Sequence, residues 1–405
     1  MKRKLINLPL LLLTFAGMFA SCIGEEPLNA ECDIEEVTVM IDNPGSVLAA
    51  GYDYSANGRA TVSSVEDSIC FLIKWNTDVD MLPVSLTVTE GAQCFILQDG
   101  EYQPFRNGEE VDFSDEKVQN FRIQSQDTYW KRDYKICFVH DEEPLFQPMD
   151  LHISFDHFAL NTSDKAAEAN KYYVWTESEF GKNYAGKWAT GNPGFKLSKS
   201  SAKPLEYPSV PLEGEGVNGG ACLKLETKDT GAFGAMVGMR IAAGSFFFGE
   251  FDVTSALKNA LAATLFGQPF KHKPVKVSGM YKWKAGARFQ DKAGNAVDRV
   301  DAPDAYCVLY RNLDAEGNFV RLDGADVLTN PNIVGLGRLS GVVETDVWTP
   351  FEFDVVYTED IDNELLANSG YSMTICFSSS IDGAYFKGAP GSTFYVDDVT
   401  LKCEY

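Results

Sequence analysis

Histidine is scarce, with four residues in 405, all isolated: His140, His152, His157 and His272. The nine cysteines form no Cys-x-x-Cys pair, and neither His-Glu-x-x-His nor Gly-x-Ser-x-Gly occurs. A zinc cluster needs several thiolate or imidazole ligands at close spacing, so a zinc site lacks its donors. Serine hydrolysis through a nucleophile elbow has no visible support either. Basic residues are in deficit, 35 Lys and Arg against 58 Asp and Glu, for a formal charge of −23. Such a field repels a polyphosphate, which excludes nucleic acid as a partner and disfavours broad adhesion to anionic lipid. A neutral ligand such as a glycan meets no such penalty. Beyond residue 20 no window approaches 18 apolar residues, so nothing downstream reads as a membrane-spanning helix.

The hydrophobic run that does exist carries an address. Lys2-Arg3-Lys4 precedes an apolar stretch from Leu5 to Ala20, broken only by Asn7, Pro9, Thr14 and Gly17. Small residues Ala20-Ser21 then lead to Cys22, the pattern of a secretory signal. Phe19-Ala20-Ser21-Cys22 resembles a bacterial lipobox, which implies cleavage before Cys22 and acylation of its thiol and amino group. The following Ile23-Gly24-Glu25-Glu26 is similar to the acidic surface-export signal of bacterial lipoproteins. Removing residues 1–21 takes three basic residues and no acidic one, deepening the charge from −23 to −26. The expectation is a lipid-anchored protein of the outer membrane, exposed at the cell surface and touching the membrane through its acyl chains alone. Two or three chains hold far better than one.

At roughly 150 residues per domain, the length suits two or three domains. Period-2 alternation dominates. Ile69, Phe71, Ile73 and Trp75 share one face, and Leu86–Thr89, Phe121–Ser125 and Tyr134–Val139 alternate likewise, with turn residues at Asp99-Gly100, Asn107-Gly108 and Ser114-Asp115. Short strands at this spacing predict an immunoglobulin-like sandwich over residues 31–141, preceded by a signal (1–21) and a tether (22–30). Residues 141–148, polar with two prolines, read as a linker. From 149 to 405 the strands are spaced more widely: Leu151–Phe155, Cys222–Thr227, Val275–Trp283, Phe351–Tyr357 and Thr393–Leu401. One segment has helical period, with Thr254 or Ser255 as cap, Leu257, Leu261 and Leu265 at i+4, and Gly267 as stop. The fold class is therefore all-β, an immunoglobulin-like sandwich followed by a jelly-roll sandwich with a short helical insertion. Apart from Cys22, eight cysteines remain, most inside apolar runs, which favours buried free thiols over the 105 possible disulfide frameworks.

The tail from Ser378 to Val399, with Ile381-Asp382-Gly383-Ala384-Tyr385-Phe386 and Gly391-Ser392-Thr393-Phe394-Tyr395-Val396-Asp397-Asp398, resembles the closing signature of the putative carbohydrate metabolism domain. Trp188–Phe195 (WATGNPGF), Ile241–Gly249 (IAAGSFFFG), and Phe266–Phe270 leading to Gly279–Trp283 match that family in order. Trp283 stands where the family prefers Tyr. The resemblance spans about residues 150–405. It implies a jelly roll like that of carbohydrate-binding modules and a glycan context, without supplying a mechanism; some members are labelled glycoside hydrolases.

Sugar rings present apolar C–H faces, so aromatic platforms are what glycan binding requires. Tyr172, Trp175 and Trp188 lie among polar loops and are the first candidates. Trp283 shares its strand face with Tyr281, Val275 and Val277, so packing competes for it. Asp397-Asp398 pose a different question. Phe394 and Val396 have the opposite parity to Val399 and Leu401, which predicts a bulge between them. A carboxylate at the edge of the core must be paired, hydrogen-bonded or metal-bound. A structural calcium on Asp397 and Asp398 is one expectation, and a salt bridge or backbone hydrogen bond near Ser392 and Thr393 is the favoured one. Gly391 is expected at positive φ. Hydrolysis would need two carboxylates about 5–5.5 or 6.5–9.5 Å apart. Glu177 and Glu179 share a strand face, and Asp298, Asp301 and Asp304 cluster in a loop that reads as solvated. No catalytic pair is assigned. The expected function is non-catalytic glycan binding in polysaccharide use, with a glycoside hydrolase and a structural adhesin as alternatives.

Overall fold

The computed structural model describes residues 28–143, 148–161, 171–176, 187–256 and 258–404. The chain divides into two compact units. One comprises the chain up to Met40 with Ala60–Cys70 and Val79–Phe138, and the other Ile41–Arg59, Phe71–Asp78 and the chain from Val139 onward.

The first unit is built on two antiparallel sheets, as an immunoglobulin-like sandwich requires. Four strands run in the order Arg59–Thr61, Ile34–Val39, Met81–Val88, Glu109–Asp112. Five run in the order Ser68–Ile73, Lys131–His140, Gln119–Gln124, Gln93–Gln98, Glu101–Pro104. Alternate residues are buried, Val37, Val39, Val84 and Leu86 from one sheet and Phe121, Ile123, Ile136 and Phe138 from the other. Cys70 and Cys137 are joined in a disulfide, and Cys32, Cys94, Cys222, Cys307, Cys376 and Cys403 are free. Burial pushes the thiols of Cys222 and Cys376 up to about 12, so they stay protonated and pack as small hydrophobes.

The second unit is the jelly roll. Its six-stranded sheet has the order Ser209–Leu212, Cys222–Glu226, Thr393–Glu404, Lys273–Lys284, Thr345–Asp354, with Met149–Ile153 also paired to Thr393–Glu404. Facing it is a nine-stranded sheet whose centre is Ser245–Phe251, Tyr371–Ser378, Asp304–Arg311 and Ile333–Arg338. Leu225, Val277, Tyr281, Trp283, Phe394 and Val396 from the first sheet meet Phe246, Phe248, Cys307, Leu309, Ile375 and Phe377 from the second. The central strands of the second sheet are apolar on both faces, because their other side carries Phe247, Tyr306, Val308, Tyr310 and Cys376. A sheet with no polar face must be covered twice. Short helices at Asn192–Ser198, Gly231–Met236 and Val253–Ala256 lie along this side, where their residues border a cavity over the sheet.

The helical insertion is shorter than its periodicity predicts. The helix spans Val253–Ala256, led by Asp252, whose Oδ1 accepts the Thr254 N–H at 2.8 Å. Leu265 falls in a strand, Thr264–Phe266, because ladders to Ser245–Phe251 and Leu322–Asp323 capture it. Leu257 lies outside the described residues. Sheet pairing here overrides a three-leucine helical signal. Asp141, read as the first linker residue, is buried. Its Oδ2 meets Lys271 Nζ at 2.8 Å and accepts Ser369 Oγ at 2.9 Å. Removing one partner of a buried pair strands the other charge. Lys271→Ala is therefore expected to cost about 3–5 kcal/mol in urea unfolding, and Lys271→Met with Asp141→Leu to recover most of it.

Candidate functional site

The predicted aromatic platforms are inside the protein. Trp175 and Trp188 are 2% and 6% exposed. Trp175 meets Phe246 edge-on at 5.2 Å, and Trp188 stacks on the same ring at 4.8 Å. Both sit on three-residue strands, Tyr173–Trp175 and Trp188–Thr190, and Trp188 pairs in register with Phe248. Neither indole offers an open face to a sugar, which corrects the expectation. The loops around them are polar, but the indoles occupy the inward positions. Trp283 is buried as well, 6.2 Å from Phe394, as its strand parity requires. Tyr172 is partly exposed and packs at 5.6 Å from Tyr207. Glu177, Glu179 and Cys22 lie outside the described residues.

Asp397 and Asp398 sit at a bulge, where the register with Lys273–Lys284 slips between Ser278 and Met280. Asp398 takes positive φ, 52°, and Gly391 has φ 90° as expected. The Asp397 Oδ2 accepts the Val217 N–H at 2.6 Å, and Asp398 faces His152 Nε2 at 3.2 Å. Burial pushes the Asp397 carboxyl up. Among the described residues no group of three or more His, Cys, Asp or Glu could hold a metal. One Asp397 oxygen thus takes a backbone N–H and Asp398 an imidazole, while the carboxylate of Asp156 also bears on Asp397.

Asp301 and Asp304 are not solvated. Asp301 is buried, and its Oδ2 accepts Ser380 Oγ at 2.6 Å, Ala389 N–H at 2.7 Å and Ser392 Oγ at 2.7 Å. The hydroxyls of Ser379 and Ser380 also meet Thr227 Oγ1 at 2.8 and 2.7 Å. These bonds clamp the tail loop, so a carboxylate that looked exposed in sequence organises the segment from Ser378 to Ser392. Asp304 is held by both oxygens to Arg338, each at 2.8 Å. Burial pushes its carboxyl up while the guanidinium opposes that.

Over the outward face of the nine-stranded sheet lies a cavity of about 520 Å³. Phe247, Tyr306 and Cys376 line it from the sheet, with Asp304 and Arg338 beside them. Its walls bring together motifs distant in sequence: Gly191, Gly194 and Phe195 from WATGNPGF, Ile241 and Ala243 from IAAGSFFFG, and Ser380, Gly383 and Tyr385 from the tail. Close packing of these walls depends on glycine. A Cβ on Gly234 would stand 2.0 Å from Thr230 Oγ1, and one on Gly383 would stand 2.4 Å from Ala243 Cβ. Phe233 and Tyr385 keep 41% and 48% exposure among its lining residues. Asp304 is the one carboxylate among the described lining residues.

A second, larger concavity of about 1030 Å³ borders the six-stranded sheet. Tyr173 and Tyr395 line it beside Lys282, Lys284, Glu213, Glu215, Glu344 and Asp346. Lys282 Nζ lies 4.4 Å from the ring centre of Trp348, whose Nε1 donates to the Glu215 carbonyl at 3.3 Å. Trp348 and Tyr395 were not singled out from sequence. The available signal was parity: Lys282 and Tyr395 alternate with the inward Trp283 and Phe394 and pair with each other in register.

A two-sheet jelly roll carrying two aromatic-lined concavities defines the class of protein. The putative carbohydrate metabolism domain model matches residues 154–402, and the chain belongs to that family. Its C-terminal domain is thus carbohydrate-associated. A solved structure called a putative glycoside hydrolase, from Bacteroides thetaiotaomicron, is 32% identical with TM-score 0.67, over 94% of this chain and 99% of that one. Another of the same description, from Bacteroides vulgatus, is 36% identical with TM-score 0.56, over 63% of this chain and 98% of that one. No curated protein matches the chain.

With its indole packed between Phe246 and Phe248, Trp188→Ala should cost about 3–5 kcal/mol, read as a lowered urea midpoint. An unchanged midpoint would show that the ring is not part of the core.

Proposed function

We propose that the jelly roll binds an uncharged glycan in the 520 Å³ cavity without cleaving it, on a protein held to the outer face of the outer membrane by acyl chains at Cys22. The observation that carries the binding reading is the chemistry of the cavity wall. Aromatic rings and hydroxyls surround a single described carboxylate, Asp304, whose two oxygens are both committed to Arg338. Glycoside hydrolysis needs two carboxyl groups with separate acid and base or nucleophile roles, and one ion-paired carboxylate supplies neither. The Arg338–Asp304 pair is neutral as a unit, so the site sets no demand for a charged ligand. The family membership supports the glycan as ligand class. The lipobox resemblance and the acidic residues that follow Cys22 support the tether.

Affinity electrophoresis on a panel of neutral polysaccharides tests the binding. Retardation of the wild type on at least one of them is expected. Phe233→Ala and Tyr385→Ala, at partly exposed positions, should each weaken it by about two- to tenfold, the equivalent of roughly 0.5–1.5 kcal/mol per aromatic contact. Ala260→Trp, which fills the cavity, should abolish it. Retardation equal to wild type in all three variants would remove the cavity as the site.

A second reading, hydrolysis, is favoured by the four carboxylates Glu213, Glu215, Glu344 and Asp346 around the larger groove. It predicts release of reducing ends from a bound polysaccharide. Glu→Gln or Asp→Asn at two of those positions should abolish that release while leaving binding in the cavity intact.

A further inference from the structure

One end of the first unit gathers exposed apolar side chains that neither the family nor the jelly roll accounts for. The strands Gln119–Gln124 and Lys131–His140 are joined by a six-residue loop, since Gln124 pairs with Lys131. In that loop Tyr129 is 87% exposed and Trp130 62%. The loop is built to hold them there. Trp130 N–H donates to Ser125 Oγ at 3.1 Å, Tyr129 N–H to Asp127 Oδ1 at 3.0 Å, and Thr128 takes positive φ, 66°. A preorganised turn loses little conformational freedom when its aromatics find a partner.

Two other segments are tied to the same end. Asn29 N–H donates to Gln126 Oε1 at 3.0 Å, and Asp127 N–H to the Asn29 carbonyl at 3.2 Å. Arg132 pairs with Asp33 at 2.5 Å and donates to the carbonyls of Ser64 and Glu66 at 2.7 and 2.8 Å. Each of these segments carries an exposed apolar residue, Leu28 and Val65. Single exposed hydrophobics need no explanation. Three hydrogen-bonded segments that each present one at the same end do.

The length of chain ahead of this end names the occupant. Asn29 lies seven residues after Cys22, and seven residues reach at most about 25 Å when fully extended. Acyl chains at Cys22 would hold the aromatic end within that distance of the bilayer. Tryptophan and tyrosine partition into the membrane–water interface, where the ring is apolar and the polar atom stays wet. The carboxylates of Glu31, Glu66 and Asp127 flank the loop, so attraction to anionic lipid is not the driving term. We propose that Tyr129 and Trp130 insert into the headgroup zone of the membrane that carries the anchor, a second contact that fixes how the first unit stands on the surface. This rests on the lipid-anchor reading above.

The test separates the two. The chain from residue 23, carrying an N-terminal hexahistidine tag in place of the acyl chains, is captured on phosphatidylcholine vesicles that contain a nickel-chelating lipid. Replacing part of the phosphatidylcholine with its bromo-acyl form should quench tryptophan emission by up to the share of one residue in six. Trp130→Phe should abolish that quenching without altering capture. Quenching that is absent in the wild type, or equal in Trp130→Phe, would overturn the contact. Continued quenching of Trp130 by aqueous iodide in that case would leave the loop to solvent or a protein partner. Mass spectrometry of the full chain from its bacterial membrane tests acylation of Cys22 on its own. Its failure would remove the natural tether while the vesicle result still reports the affinity of the loop.

Discussion

The constraint on which the C-terminal half depends is a sheet with no polar face. Asp304–Arg311 and Tyr371–Ser378 are buried almost throughout their lengths, so the chain must supply cover on both sides. One side is met by the six-stranded sheet, which gives the sandwich its core. On the other side the described residues offer only a two-stranded pair, Lys228–Asp229 with Ile241–Ala242. Short helices, the segment around Val327 and the tail loop lie over it, and these pieces cannot tile a sheet as closely as another sheet does. The cavity is what that imperfect cover leaves. Its apolar floor is a consequence of the strands' composition, and its polar groups come both from strand ends, Asp304 and Arg338, and from the covering loops, Thr230 and Ser380.

Three arrangements around buried carboxylates order this half, and the one at Asp301 fixes how the tail loop sits. Asp301 gathers two hydroxyls and a backbone N–H on one oxygen, and Asp304 holds Arg338 in a two-point pair. Lys271 and Asp141 neutralise each other. A buried charge is tolerable when it is paired and its remaining lone pairs are occupied. Such pairing is directional where hydrophobic contact is not, so it selects one placement of the tail loop from many that would bury similar area. The glycines of the walls serve the same end by steric means, since side chains at Gly234 or Gly383 would push the walls apart.

The two concavities offer different chemistry on one domain. The cavity over the nine-stranded sheet pairs aromatic walls with a single, neutralised carboxylate, which suits retention of an uncharged ligand. The groove beside the six-stranded sheet mixes two lysines, four carboxylates and the Trp348–Lys282–Tyr395 stack, which suits polar recognition along a longer ligand. Family membership associates the domain with carbohydrate.

Much of this was legible in sequence, for a local reason. Strand alternation reports which residues share a face, so the principal strands, the burial of Trp283, the bulge before Val399 and the positive φ at Gly391 could all be read from neighbours along the chain. The acidic charge and the absence of zinc-ligand spacing set expectations about partners by composition alone. Alternation does not report what covers a face. Trp175 and Trp188 looked available among polar loops, yet they pack against Phe246, more than fifty residues away. Asp301 looked solvated until Ser380 and Ser392 were brought to it. Leu265 had helical spacing until two strands claimed it. The pairing of Cys70 with Cys137 and the meeting of three family motifs in one cavity have the same origin. They are contacts between segments far apart in the chain, and only the closed sandwich brings those segments within bonding distance.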